Sequence, residues 1–203
     1  RGAGLAARRG GKRVFAGEGD LLVTHEGLSG PLILDSSRRL EAGDTLEIRF
    51  ADLGLEEFRE RFDRLLSREP RRLARTVLAE AGLPRAMAEL FCSLAGLAPE
   101  AAAADLRRES REALCRLACE CPVEVKSLSG WDEAMATSGG VELAEVSPKT
   151  MESRVAPGLF FAGEVLDIDG DSGGYNLQAA FSTGALAGRG MLAALEGLEG
   201  GAD

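Results

Sequence analysis

Apolar and polar positions change period three times along the chain, and each change marks a different kind of element. The first residues, "RGAGLAARRGGKRVF", place Gly10-Gly11 between two short basic segments, which predicts a β-hairpin. From Leu21 the pieces are short and β-like, "LLVTH", "GLSGP", "LILDSS" and "DTLEIRF", with glycine, proline and "EAGD" between them, so a small antiparallel or barrel-like unit is expected. After Asp52 the spacing becomes helical: "LEEFRERFDRLL" sets Leu55, Phe58, Phe62 and Leu65 near one face. "PRRLARTVLAEAGL" and "PRAMAELFCSLAGL" repeat a helix that starts at a proline, Pro70 or Pro84, and stops at a glycine, Gly82 or Gly96. "DLRRESREALCRLACE" opens on Asp105 as an N-cap and interleaves arginine with glutamate, the pattern of a solvated, ion-paired face. Pro122 ends that helix, "VEVKSLSG" reads as a strand, and "WDEAMATSGGVELAEV" reads as two short strands about a turn at Thr137 to Gly140.

The closing stretch carries the candidate chemistry. "GLFFAG" has the continuous apolarity of a strand buried on both faces, and ligands of open α/β sheets bind beyond such strand ends. Gly163 and Glu164 stand there, a glycine for close backbone approach and a carboxylate able to accept bonds from sugar or polyol hydroxyls. Asp167, Asp169 and Asp171 follow; a calcium loop would need a closing glutamate that is missing, so a turn with solvated acids is the reading and no metal is expected. From Asn176 the apolar and small residues recur at helical spacing, and Gly184 and Gly188 share a face, which suggests a backbone or a flat ligand close by. Free N–H groups from Tyr175 to Gln178 at that helix start favour an electron-rich carbonyl or a developing anion. The N1/C2 carbonyl edge of a reduced flavin is such a group.

Bulk properties narrow the class. With 203 residues and 45% hydrophobic composition the chain can bury a core, as one large domain or two small ones. Its formal charge of −9 argues against a sequence-independent grip on nucleic acid, so no nucleic-acid partner is expected. No apolar run reaches the roughly 18 residues that cross a bilayer, and the default is a soluble, cytoplasmic protein with no membrane partner. Cys92, Cys115, Cys119 and Cys121 fit neither a disulfide framework nor a common zinc pattern and read as reduced, packed thiols. Gly2, Gly4 and Ala7 imitate a dinucleotide fingerprint, but the strand that should precede it is missing. His25, the single histidine, reads as a turn residue rather than a proton donor.

The segment "GGVELAEVSPKTMESRVAPGLFFAGEVLDIDGDSGGYNLQAAFSTGALAG" closely resembles the C-terminal FAD-binding portion of the BaiN-type (aminoacetone oxidase-like) bacterial flavoproteins, NAD(P)/FAD-dependent oxidoreductases. "LLVTHEGLSGPLIL" resembles a second motif of that family, from its inserted domain. The resemblance implies an α+β chain: a β-barrel-like and helical insert domain, then the C-terminal part of a glutathione-reductase-like Rossmann FAD-binding domain. The insert would occupy residues 1–136, with a β unit at 1–51, helices at 52–121 and a returning strand at 122–136, and the flavin segment 137–203. It further implies that Gly163 and Glu164 meet the ribityl-phosphate side of FAD, and that Asp167 and Gly173 also belong to the cofactor-binding set. Gly174, Tyr175, Asn176 and Leu177 would border the ring, with Thr137, Gly139 and Gly140 approaching from the insert side. No residue is singled out as acid, base or nucleophile, because the cofactor carries the hydride.

Two functions are open at this point. In the first, the chain is a fragment of a flavin-dependent oxidoreductase, reduced at the flavin by NAD(P)H or a small-molecule substrate, inactive alone and completed by an N-terminal FAD-binding half. In the second it is a non-catalytic interaction module from a split or truncated flavoprotein gene.

Overall fold

The computed structural model describes residues 2–199 and divides into two compact units, residues 1–128 and 129–203. In unit 1 the hairpin forms as its glycines predict: β1 (Gly2–Arg9) and β2 (Lys12–Asp20) pair antiparallel, from Gly2 opposite Asp20 to Arg9 opposite Lys12. Gly2, Gly4 and Ala7 therefore lie along an antiparallel strand, with no helix behind them to receive a phosphate. β5 (Thr45–Arg49) adds to the other side of β1, and β6 (Cys121–Glu124) adds to β5, giving an open antiparallel sheet ordered β2-β1-β5-β6. Between β2 and β5 run the two-residue strands β3 (Leu22–Val23) and β4 (Leu28–Ser29), which pair with each other, and the helix α1.

That helix, α1 (Pro31–Ser37), corrects the β reading of "LILDSS". Pro31 supplies a helical φ at a position where its absent N–H costs nothing. The N–H groups of Ile33 and Leu34 turn back onto the Gly30 carbonyl at 3.0 and 2.9 Å. Leu32 and Ser36, one turn apart, are then the buried pair.

Four helices share one buried core with the sheet: α2 (Leu55–Arg68), α3 (Ala74–Glu80), α4 (Arg85–Leu94) and α5 (Arg108–Cys119). On α2 the fully buried positions are Phe58, Phe62 and Leu66, while Leu55 and Leu65 flank them half-buried. α3 begins four residues after Pro70 because the backbone before it is engaged elsewhere. The carbonyls of Pro70 and Arg72 accept the N–H groups of Ala104 and Ala103, at 2.9 and 2.8 Å. Asp105 likewise does not cap α5. Its carboxylate accepts the Ala102 N–H at 3.1 Å and closes a short 3-10 turn at Ala103–Asp105, so α5 starts at Arg108. Leu114, Cys115, Ala118 and Cys119 form the buried face of α5, and all four cysteines are buried free thiols. Burial pushes the Cys115 thiol up to about 12 and that of Cys119 up to about 11.

Unit 2 is built differently. Its fully buried apolar set is Val146, Met151, Leu166 and Ala187, with Val141, Phe160, Phe161, Ile168 and Leu186 against it. The two strands expected around Thr137 to Gly140 are instead 3-10 turns, Trp131–Glu133 and Leu143–Glu145. Trp131 and Met135 are more than 80% exposed, so the alternation there has no apolar face to bury. "GLFFAG" is not a strand either. A buried strand needs ladders on both sides, whereas Phe160 makes one isolated bridge to Glu152 and the Phe161 N–H donates to the Met151 carbonyl at 2.9 Å.

The long helix α6 (Tyr175–Glu199) closes the unit. It packs through Asn176, Ala179, Ala180, Thr183, Leu186, Ala187 and Gly190, a stripe of i, i+3/i+4 spacing. Gly190 makes the close backbone approach, directly against the Thr150 carbonyl. Gly184 and Gly188, expected to make it, have no protein atom within 4 Å of where a side chain would begin.

Candidate functional site

Within unit 2 two separated stretches are held side by side. The Val141 N–H donates to the Val165 carbonyl at 2.8 Å, and the Asp167 N–H donates to the Val141 carbonyl at 3.1 Å, a parallel bridge that buries Leu166. This pairing brings Thr137, Gly139 and Gly140 onto Gly163, Glu164 and Asp167. The Thr137 N–H donates to Glu164 Oε1 at 3.2 Å, and the Gly139 N–H to Asp167 Oδ1 at 3.1 Å. Gly140, at φ 156°, lies so close that an added Cβ would stand 2.6 Å from the Val165 oxygen and 2.9 Å from the Asp167 nitrogen. Only glycine fits there.

The helix side of the site is fixed by two polar clamps. The Gly163 N–H donates to Thr183 Oγ1 at 3.0 Å, and the same hydroxyl donates back to the Ala179 carbonyl at 2.7 Å, tying the short turn Gly163–Val165 to α6. Asn176 grips Gly170 at both ends: its Oδ1 accepts the Gly170 N–H at 2.8 Å and its Nδ2 donates to the Gly170 carbonyl at 3.2 Å. Asn176 thus orders the loop before the helix with its side chain. The Gln178 N–H is also engaged, donating to the Gly174 carbonyl at 2.9 Å, which corrects the expectation that it is free. Helix geometry leaves the N–H groups of Tyr175, Asn176 and Leu177 without intrahelical acceptors.

A Cβ added at Gly173 would stand 3.6 Å from the Tyr175 ring, while Gly174, at φ 90°, has open space where a side chain would begin. Tyr175 and Leu177 are both about two-thirds exposed. Glu164 and Asp167 are exposed as well. The arrangement therefore presents two exposed carboxylates, a helix start with undirected N–H groups and an apolar rim. Such a set can receive hydroxyls of a polyol chain and a carbonyl edge of a flat ring. It is poorly suited to a diphosphate, because residues 129–203 hold 3 basic side chains against 12 acidic ones.

Other features lie elsewhere. His25 occupies a turn in unit 1 closed by the Thr24 N–H on the Gly27 carbonyl at 2.8 Å, with its ring about 90% exposed. A cavity of about 220 Å³ lies in unit 1, lined by Arg75, Glu89, Cys92 and Leu97 among others, and includes no residue of the site above. Among the described residues no group of three or more His, Cys, Asp and Glu is placed to hold a metal ion, and no helix is long and apolar enough to cross a membrane.

Comparison with known proteins decides the family. Residues 7–190 match the model described as the HI0933-like protein Rossmann domain. The chain belongs to the HI0933-like family. The resemblance to BaiN-type flavoproteins read from its C-terminal segment stands with that assignment, and the family in general binds FAD. The chain is 34% identical over 176 residues to a ribosomal RNA dihydrouridine synthase of Escherichia coli K12, covering 86% of this chain and 43% of that protein. It is 32% identical over 187 residues to a 3-dehydro-bile acid delta(4,6)-reductase of Clostridium scindens, covering 88% of this chain and 46% of that protein. A ribosomal RNA dihydrouridine synthase of Haemophilus influenzae is 32% identical over 163 residues, 80% of this chain and 40% of that protein. The chain thus spans less than half the length of these relatives.

Proposed function

We propose that the chain supplies the ribityl and ring end of an FAD site in a flavin-dependent reductase of carbon–carbon double bonds conjugated to a carbonyl. The observation that carries the reading is the joining of Thr137–Gly140 to Gly163–Asp167, a pair of stretches tied to α6 by Thr183 and followed by the loop that Asn176 holds at the first turn of that helix. Glu164 and Asp167 would take the ribityl hydroxyls. The N–H groups of Tyr175 to Leu177 would face the N1/C2 edge, and the open space at Gly174 would admit the ring. When bound, the flavin supplies the hydride, drawn from NAD(P)H or another reductant.

The bond type comes from what the relatives' names share. Dihydrouridine is uridine with hydrogen added across a double bond conjugated to a carbonyl, and a delta(4,6)-reductase of a 3-dehydro steroid acts by its name on the same kind of bond. The protein's own residues would position the cofactor; His25 has no part in this reading. The excess of acids in residues 129–203 opposes the diphosphate end, so an N-terminal FAD-binding half is the expected partner.

The test is reconstitution. The chain joined to an N-terminal glycine-loop half should bind FAD, turn yellow and consume NAD(P)H when given uridine-containing RNA or a 3-oxo-Δ4,6 steroid. A complete protein that stays colourless under FAD would defeat the proposal.

A further inference from the structure

The summed charge of −9 conceals a sharp division. Residues 1–128 hold 21 of the 24 lysines and arginines and 21 of the 33 acids, so unit 1 is formally neutral and residues 129–203 carry the whole excess. Within unit 1 several arginines are neutralised locally. Arg59 pairs with Glu56 and Glu112, Arg72 with Glu69 and Glu80, Arg116 with Glu112, and Arg111 with Asp63. Five others at one end of the helical part are exposed and form no ion pair among the described residues: Arg64, Arg68, Arg71, Arg107 and Arg108.

The fold collects these five. The pairs Arg59–Glu112 and Asp63–Arg111 show that α2 and α5 run side by side in opposite directions, so the end of α2, with Arg64 and Arg68 one turn apart, meets the start of α5 at Arg107 and Arg108. The Pro70 and Arg72 carbonyls, bonded to Ala104 and Ala103, hold Arg71 at the same end. The acids near them in the chain are Glu60, Glu69, which pairs with Arg72, Asp105, whose carboxylate accepts the Ala102 N–H, and Glu109.

We propose that this arginine-bearing end of unit 1 docks the phosphate backbone of RNA. Guanidinium forks match phosphate oxygens, and a cluster lacking carboxylate partners is free to meet them. The identity of the polyanion rests on the reductase reading: of the two substrate types it offers, an RNA presents a row of phosphates and a steroid does not. The sequence-based expectation of no nucleic-acid partner came from the sum of charges, whereas docking depends on where they lie.

The experiment uses the chain as it is, without flavin, and a short fluorescein-labelled single-stranded RNA followed by anisotropy across a salt series. Each neutralised phosphate contributes about −0.7 to the slope of log K against log salt, so five contacts give roughly −3.5. The triple variant Arg68→Gln, Arg71→Gln, Arg107→Gln should lose at least about tenfold in affinity at 0.1 M salt, with the slope falling to about −1.4. A control of equal charge, Lys12→Gln, Arg13→Gln, Arg85→Gln, should bind nearly as the parent does, and circular dichroism should show both variants folded. The inference is overturned if the parent chain fails to bind at low salt, or if the control loses as much as the patch variant. Such a failure leaves the flavin reading intact, and a colourless reconstituted protein would leave the docking surface intact.

Discussion

Two glycines on α6 should respond in opposite directions to the same substitution. At Gly184 an added methyl meets no protein atom, so Gly184→Ala should capture the helix-propensity gain of about 0.8–1.0 kcal/mol. At Gly190 the gain is the same, but the new Cβ would collide with the Thr150 carbonyl oxygen and lie 3.0 Å from the Thr150 Cβ and 3.1 Å from its carbonyl carbon. Ordinary contact begins near 3.4 Å, so the helix or the Thr150 backbone must move, at the foot of a core of four fully buried side chains. Overpacking of this kind costs about 1–3 kcal/mol, which puts Gly190→Ala about 1–3 kcal/mol below Gly184→Ala. Urea unfolding by far-UV circular dichroism measures the difference, and hydrogen exchange of the α6 amides assigns it to unit 2. Equal stabilities for the two variants would refute the placement of Thr150 against the helix.

Asp44, almost fully buried, accepts two hydrogen bonds from Arg9 at 2.8 and 2.9 Å and one from the Glu41 N–H at 2.9 Å, and the Arg9 bonds hold its carboxyl below the usual carboxylate range. A depressed folded-state pKa gives stability that is complete above the unfolded value, near pH 4, and lost as pH falls through the folded value; Asp44→Asn should abolish that part of the acid limb, which pH-dependent urea melts would show. Cys115 and Cys119, with raised thiol pKa values, should resist a disulfide reagent in the folded chain at neutral pH and react only after unfolding; a rapid reaction in native buffer would contradict their burial. Gly174→Leu should abolish FAD binding in the reconstituted protein while leaving the unfolding of unit 1 unchanged, and full flavin occupancy would displace the ring from the proposed position.

Much of unit 1 could be read from the chain because its elements are set by local chemistry. Gly10-Gly11 dictates a hairpin whatever surrounds it, and Phe58 and Phe62 repeat at helical spacing over two turns. The misreadings there arose where a residue's partner was remote. Asp105 has the chemistry of a cap, but the N–H it caps is that of Ala102, and Pro70 could start a helix had its carbonyl not been drawn to Ala104. "LIL" is ambiguous because three consecutive apolar residues carry no period. Unit 2 was harder still. "GLFFAG" has the composition of a buried strand, and strand formation depends on neighbours that composition cannot report. Of the candidate site, the glycines and carboxylates were legible from residue type, as was the start of α6 at Tyr175. What sequence could not give was that Glu164 and Asp167 hold the Thr137–Gly139 backbone, or that Asn176 turns its amide onto Gly170.

The division of charge bears on the cofactor as strongly as on RNA. FAD is a dianionic diphosphate at one end and a polyol and ring at the other, and residues 129–203 offer that ligand Lys149, Arg154 and Arg189 against twelve acids. A field of that sign opposes the diphosphate. Hydroxyls gain from carboxylate acceptors and lose little to the field, because they are neutral. In the proposed reading a flavin would be held from the ring inward, with Glu164 and Asp167 on its hydroxyls and the helix-start N–H groups on the carbonyl edge. The diphosphate charge must be met by donors outside residues 129–203. Such an allotment fits a site in which no arginine or lysine hydrogen-bonds the two carboxylates among the described residues, and under the proposal FAD affinity would depend on a partner half for the charged end of the ligand and on this chain for the ring end.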